Sequence, residues 1–291
     1  MNAPQLFISN DWQDYELLDA GDGNRLERWG KTILIRPDPQ ALWTKSNHPA
    51  WRTFDAIYHR SSSGGGEWEY KRKLPAEWLI NYKDLTFKVH PTGFKHTGLF
   101  PEQAFNWDRV MNAVKAANRP IQLLNLFGYT GAASVAAAKA GAKVCHVDSA
   151  KGMLTWCREN AELSGVKENS IRLIPDDCLK FTEREYRRNS RYDAIIMDPP
   201  SFGRGAKGEV WKLEDSFWEL LVACKAILSD NPLFMLINSY TAGISSIVAA
   251  NMVASLGLPI KTIDYGELAL PFRDGEMVLP CGLTVWAGFS K

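Results

Sequence analysis

Three short stretches carry residue types and spacings that can do chemistry. In Phe127-Gly128-Tyr129-Thr130-Gly131 two glycines stand between an apolar run and an alanine-rich run. Glycines at a strand-to-helix turn let a ligand approach the backbone and meet the N–H groups of the helix. Asp148, followed by Ser149, closes the next apolar run. An acid about twenty residues beyond such a turn is placed to accept from two ribose hydroxyls. Asp177 follows the third run, where it can accept from an adenine amino group or cap the helix that follows. Finally, Asp198-Pro199-Pro200-Ser201-Phe202 ends the fourth run. Its prolines withhold backbone donors and leave carbonyls for a planar amino group, on which Phe202 can stack. Together these stretches describe a nucleoside site. The turn lacks the middle glycine that a dinucleotide pyrophosphate needs, so S-adenosylmethionine, which has no phosphate, suits it better than NAD.

The elements that position these residues alternate. IQLLNLF (121–127), AKVCHVD (142–148), IRLIP (171–175), YDAIIMD (192–198) and PLFMLINS (232–239) read as parallel strands buried on both faces, with helices between them. IKTIDYGELAL and GLTVWAGF follow without an intervening helix, which predicts an antiparallel last strand. The fold expected is α/β: a doubly wound, Rossmann-like, seven-stranded sheet, its ligand at the carboxyl ends of the strands.

Residues 1–90 have a different texture. LLDAGDGNRLERWGKTILIR carries an Asp-Gly hairpin signal, and WLINYKDLTFKVHP reads as a strand pair. Six of the 11 tryptophans fall here, either filling a thin β core or offering stacking surfaces to bases. Two basic, flexible segments stand out. Ser61–Gly66 leads into Glu67-Trp-Glu-Tyr-Lys-Arg-Lys73, and Gly203-Arg-Gly-Ala-Lys-Gly208 follows the proline pair. Over the whole chain 34 Lys+Arg offset 33 Asp+Glu, a net charge of +1, so any nucleic-acid contact must be local. Five cysteines without a C-x-x-C pair argue for a reducing compartment and against a disulfide framework or a cysteine-based zinc site. No apolar run reaches the roughly 20 residues of a membrane span, and the N-terminus does not read as a signal peptide; the expected location is cytoplasmic.

The stretch Leu124–Gly131, Asp148, Asp177 and DPPSF resemble class I S-adenosylmethionine-dependent methyltransferases. More narrowly, Thr97-Gly-Leu-Phe-Pro-Glu-Gln103 and DPP-x-F resemble the bacterial ribosomal RNA large-subunit methyltransferase group, with its cytosine-5 and guanine-N7 enzymes. The resemblance implies that Asn125, Phe127, Gly128, Tyr129, Thr130 and Gly131 wrap the methionine part of the cofactor. It implies that Asp148 and Ser149 hold the ribose and Asp177 the adenine, with Thr97, Phe100, Pro101 and Gln103 over the pocket. Asp198, Pro199, Pro200 and Phe202 would face the acceptor. Two departures matter. Asn125 stands where many such enzymes carry an acid, and Ile237-Asn-Ser-Tyr-Thr241 lacks the cysteine that cytosine-5 relatives place after the fifth strand. Carbon-5 methylation needs a thiolate adduct, so nitrogen or oxygen is the expected acceptor.

The expected organisation is therefore a β-rich substrate-recognition module over residues 1–90 and a methyltransferase domain over 91–291. The expected partner is structured, ribosomal RNA, with no metal and no membrane. Three other readings stay open: a small-molecule or protein methyltransferase, an NAD-dependent oxidoreductase, and a non-catalytic nucleoside-binding scaffold. His96 and His146 lie near the pocket in sequence, and His146, mid-strand, reads as a core histidine rather than a catalytic one.

Overall fold

The structure is a computed structural model that describes residues 3–61, 65–204, 210–273, 275 and 277–289. The chain opens with β1 (Gln5–Ile8) and continues into β2 (Tyr15–Gly21), β3 (Asn24–Trp29), β4 (Thr32–Pro37), β5 (Ala56–Arg60) and β6 (Gly66–Tyr70). A separate hairpin, β7 (Trp78–Tyr82) and β8 (Leu85–Val89), follows. Then come α1 (Ala104–Ala116), β9 (Gln122–Leu126), α2 (Ala132–Lys139), β10 (Lys143–Asp148), α3 (Lys151–Leu163), β11 (Ile171–Pro175), α4 (Cys178–Arg187) and β12 (Ala194–Met197). The chain ends through β13 (Phe202–Arg204), β14 (Val210–Lys212), α5 (Leu213–Ala226), β15 (Phe234–Ser239), α6 (Ser246–Ala254), β16 (Thr262–Pro271) and β17 (Val278–Gly288).

Two compact units result. One comprises Met1–Phe7, Phe105–Leu268 and Gly282–Lys291; the other comprises Ile8–Ala104 with Ala269–Cys281. A single cut at residue 90 does not describe them, because both ends of the chain contribute to the α/β unit.

The α/β unit is built on a mixed sheet in the order β1-β16-β17-β15-β12-β9-β10-β11. Strands β15, β12, β9, β10 and β11 run parallel, and β17 lies antiparallel to β15. The sheet has eight strands rather than the seven expected. The extra edge strand is β1, only four residues long and too short to announce itself by periodicity. Alternate strand residues enter different cores. Leu124, Leu126, Ile195 and Met197 pack with Phe181, Phe217 and Leu220 from α4 and α5. Leu123, Val144, Ala194 and Ile196 pack with Val110 and Val114 of α1 and Ala137 of α2. Side chains that alternate across a strand, with helices on both faces, make each strand a continuous apolar run.

The β-rich unit holds the five-stranded sheet β2-β3-β4-β5-β6 and the β7–β8 hairpin. The Asp-Gly pair turns β2 into β3, with Asp22 and Gly23 both at positive φ. Its tryptophans serve the unit itself. Trp29 is buried against Tyr15, and the indoles of Trp12, Trp43, Trp51 and Trp68 donate to Pro101, Ala20, Asp19 and Thr92. At the centre Glu27, fully buried, accepts from Tyr15 Oη at 2.7 Å and from Arg36 Nε and Nη2 at 2.6 and 2.8 Å. Arg25 lies 3.7 Å away. Burial alone would raise the Glu27 pKa, but the Arg36 and Arg25 charges and the hydrogen bonds override it and leave it at about 2.

Candidate functional site

The carboxyl end of β9 turns through Phe127 and Tyr129, both left-handed at φ +54° and +53°. Such a conformation costs a non-glycine residue of order 1–3 kcal/mol and persists only where its surroundings enforce it. Here the Phe127 N–H donates to Cys178 Sγ and the Tyr129 N–H to Asp148 Oδ2, at 3.3 and 2.9 Å. The second Asp148 oxygen accepts from the Ala150 N–H at 2.9 Å. Asp148 thus ties the ends of β9 and β10 together. Each of its oxygens keeps a further lone pair for a ligand hydroxyl. Burial raises its pKa, partly offset by the Ala150 and Tyr129 N–H groups, so the carboxylate gains from additional donors.

The glycines of the turn have a packing role beside the ligand contact the sequence suggests. A Cβ on Gly128 would lie 2.3 Å from Cε1 of His146, and one on Gly131 would lie 2.1 Å from Cys157 Sγ. Both positions are glycine because the protein packs against them, not only to admit a ligand. Behind the turn runs a buried polar chain. Asn125 Nδ2 donates to Ser134 Oγ at 2.8 Å, and Ser134 Oγ meets His146 Nδ1 at 2.9 Å. Asn125 is therefore occupied inside the core. Burial lowers the His146 pKa to about 4, which keeps the ring neutral and fits its expected place in the core. Thr130 is buried with its carbonyl bonded to Asn160, and Ser149 is exposed beside Asp148.

Asp177 does cap α4: its Oδ1 accepts from the Lys180 N–H at 2.9 Å. Its other oxygen makes no hydrogen bond with the described residues, so capping and ligand binding are compatible. Asp176 beside it is committed to an ion pair with Arg184.

At the end of β12, Asp198 and Pro199 follow Met197, which pairs with Ile237 of β15. The carbonyl of Pro200 is not free as expected, because the Trp211 indole donates to it at 2.7 Å. Trp211 also packs on Phe127, ring centroids 5.0 Å apart. One nearly buried indole on β14 thereby holds both the cofactor turn and the proline turn, a role no sequence motif announces. Phe202 is 52% exposed. On the neighbouring strand Asn238 is buried, its oxygen accepting from Asn106 Nδ2, which also reaches Thr284. This fixes the Asn238 carboxamide and leaves its NH2 as a donor at the carboxyl edge. The sequence showed Asn238 only as a missing cysteine; its partners lie 132 and 46 positions away in the chain and give no local signal.

The other expected cofactor residues belong to the β-rich unit. Thr97 is fully buried with no partner for Oγ1 among the described residues, an orphan polar atom that a ligand can satisfy. Gln103 is buried, Phe100 packs on His96, and Pro101 accepts from Trp12. Burial, followed by the charges of Arg36 and Lys95, lowers His96 to about 3, so it carries no charge near neutrality. The basic arm is largely spent: Lys71 pairs with Glu69, and Arg72 with the nearly buried Asp55. Of the second basic segment, residues 205–208 lie outside the described residues, as do residues 62–64 of the first.

The donor set fits S-adenosylmethionine. Asp148 and Asp177 offer carboxylate oxygens to an adenosine, and residues 127–131 and 148–150 contain no cation for a pyrophosphate. Comparison with known proteins agrees. A family model described as S-adenosylmethionine-dependent methyltransferase matches residues 41–243. The chain is 37% identical to the S-adenosylmethionine-dependent methyltransferase from Agrobacterium tumefaciens, covering 99% of this chain and 95% of that one with a TM-score of 0.94. It is 31% identical over 212 residues to ribosomal RNA large subunit methyltransferase K/L of Shewanella frigidimarina, and 36% identical over 149 residues to the same-named protein of Shewanella sp. strain ANA-3. These matches cover 72% and 50% of this chain but only 28% and 19% of those longer relatives. The NAD-dependent oxidoreductase reading is thereby set aside: the chain belongs to the S-adenosylmethionine-dependent methyltransferase family.

Proposed function

We propose that this chain methylates a nitrogen, or an oxygen, of a base in structured ribosomal RNA in the cytoplasm. S-adenosylmethionine, when bound, supplies an electrophilic methyl group on a sulfonium. The protein's part is alignment and exclusion of water. Asp148 accepts from the ribose hydroxyls, the unused oxygen of Asp177 accepts from the adenine amino group, and the Phe127–Gly131 turn holds the methionine part. On the acceptor side Asp198 and the Pro199 carbonyl accept from an amino group, Phe202 stacks on its plane, and the Asn238 NH2 donates to a base oxygen or ring nitrogen.

The observation that carries the choice of atom is the absence of a usable thiol among the described residues. The end of β15 presents Asn238 and Ser239, not cysteine. Burial raises the thiol pKa values of Cys178 and Cys281 well above the ordinary range, so neither supplies a thiolate. Support for RNA comes from the curated relatives named for ribosomal RNA. Incubation with tritium-labelled S-adenosylmethionine and RNA from a strain lacking the gene is expected to put label on large-subunit RNA, in an N- or O-methylated nucleoside. Label confined to small molecules or protein would move the acceptor elsewhere.

Two further results are expected. Asp148→Ala should weaken S-adenosylmethionine binding by about 1.5–3 kcal/mol, the range for hydrogen bonds to a charged group, as read by calorimetry. Unchanged affinity would remove Asp148 from the ribose site. Cys178→Ser and Cys281→Ser should keep turnover within a few-fold, and 5-fluoropyrimidine RNA should form no covalent complex. A trapped adduct would restore carbon-5 chemistry.

A further inference from the structure

Three exposed cations lie where neither basic segment of the sequence points. Lys143 begins β10, and Arg172 on β11 stands opposite Cys145 in the ladder, so Lys143, Cys145 and Arg172 share one face of the sheet. The C-terminus of α4 belongs to the same neighbourhood. Glu185 accepts from Tyr192 Oη at 2.7 Å and from Arg188 at 3.1 Å, and both Glu185 and Arg172 act electrostatically on Cys145. In the chain Arg187 and Arg191 follow Glu185 at the end of α4 and in the connection to β12, and Tyr186 is 56% exposed.

Cations at a helix C-terminus ordinarily answer the helix dipole. That accounts for Arg187 and Arg188. It does not account for Lys143, Arg172 and Arg191, which lie on strands or the α4–β12 connection. All three are exposed, and none has a carboxylate within ion-pairing distance among the described residues. Of the acids nearby, Glu185 is held by Tyr192 and Arg188, and Asp193 by Arg119 and Ser229. Lys143, Arg172 and Arg191 thus stand toward the amino edge of the sheet, each exposed and without an ion pair among the described residues. The methyl-transfer residues sit at the opposite, carboxyl edge. Strands of five or six residues separate the two edges by roughly 17–20 Å. A small acceptor cannot touch both, whereas a folded polyanion can.

We propose that Lys143, Arg172 and Arg191, with Arg187 and Tyr186 beside them, form a second contact surface for the phosphate backbone of the RNA substrate, remote from the base being methylated. The inference rests on the RNA reading above and locates where that RNA is held. It predicts that affinity resides largely at the amino edge and that base choice resides at the carboxyl edge.

The test uses the full chain, a transcript of large-subunit ribosomal RNA and a salt series. Each phosphate contact contributes about −0.7 to −0.9 to the slope of log affinity on log salt. The Lys143→Ala/Arg172→Ala/Arg191→Ala variant should flatten the slope by about two, with S-adenosylmethionine affinity unchanged within twofold and an unaltered melting profile. The Lys143→Arg/Arg172→Lys/Arg191→Lys variant should keep the wild-type slope. If the triple alanine variant does not fold, the three single variants, each expected to lose about 0.7–0.9 of slope, carry the test. An unchanged slope in variants that still bind RNA overturns the patch and leaves the RNA reading standing; a surface made for an acidic protein gives that result. Absence of RNA binding by the wild type even at low salt overturns both.

Discussion

Glu27→Ala should destabilise the protein by about 3–5 kcal/mol, the cost of leaving buried charge without its partner. The carboxylate sits at 0% exposure between Arg36, Arg25 and Tyr15, and its removal leaves the buried Arg36 guanidinium without its carboxylate, while Arg25 keeps Asp38. Its pKa, lowered from 4.5 to about 2, supplies an independent check. A carboxylate depressed on folding stabilises the native state above its unfolded pKa and loses that contribution as pH falls through its folded value. The lowering corresponds to about 3 kcal/mol at neutral pH. Urea melts at pH 7 should therefore separate wild type from Glu27→Ala widely, and the gap should narrow from pH 4.5 toward pH 2. A gap that is small at pH 7, or independent of pH, would contradict this account of the β-rich core.

The second large effect is expected in the cofactor turn. Gly128→Ala places a methyl group 2.3 Å from the His146 ring, which is fully buried and anchored to Ser134. Overpacking of this kind costs about 1–3 kcal/mol, and loss of the ring's hydrogen bond adds about 1. Cofactor affinity should fall with stability, since the same turn carries Tyr129 and its link to Asp148. His146→Ala alone should also destabilise, by opening a cavity. Combined, the two changes should cost less than their sum by about 2 kcal/mol, because the new methyl enters the vacated space. Additive costs in a double-mutant cycle would show that the ring is not what requires glycine at this position.

Much of the α/β unit is legible from the sequence because its strands are buried on both faces and its helices lie between them, a pattern that survives any detail of packing. The strand IRLIP is found at Ile171–Pro175 as read, and the last strand runs antiparallel to β15. Short elements and long-range partnerships are not legible. The four residues of β1 carry no period, and Asn106, Asn238 and Thr284 meet only after three distant segments have folded together. Local motifs also hide their causes. Gly128 looks like a concession to a ligand but also answers a histidine 18 residues on, and the Lys71–Lys73 triplet looks free although Lys71 answers Glu69 and Arg72 answers Asp55. Pairing is a property of the fold, so charge counted along the chain located the cations without showing which remain available. That is why the amino-edge patch, whose members are scattered between residues 143 and 191, escaped notice.

In the function we propose, the carboxyl edge holds S-adenosylmethionine on Asp148 and delivers its methyl group to a base of ribosomal RNA. The most direct measurement is single-turnover methyl transfer from labelled S-adenosylmethionine to unmodified large-subunit RNA, for wild type, Asp148→Ala and Phe202→Ala, followed by nucleoside analysis. One N- or O-methylated nucleoside is expected from the wild type. Asp148→Ala should need a higher cofactor concentration, and Phe202→Ala should turn over slowly at unchanged cofactor affinity. A carbon-methylated nucleoside, or no transfer to RNA by a protein that binds the cofactor, would contradict the proposed function.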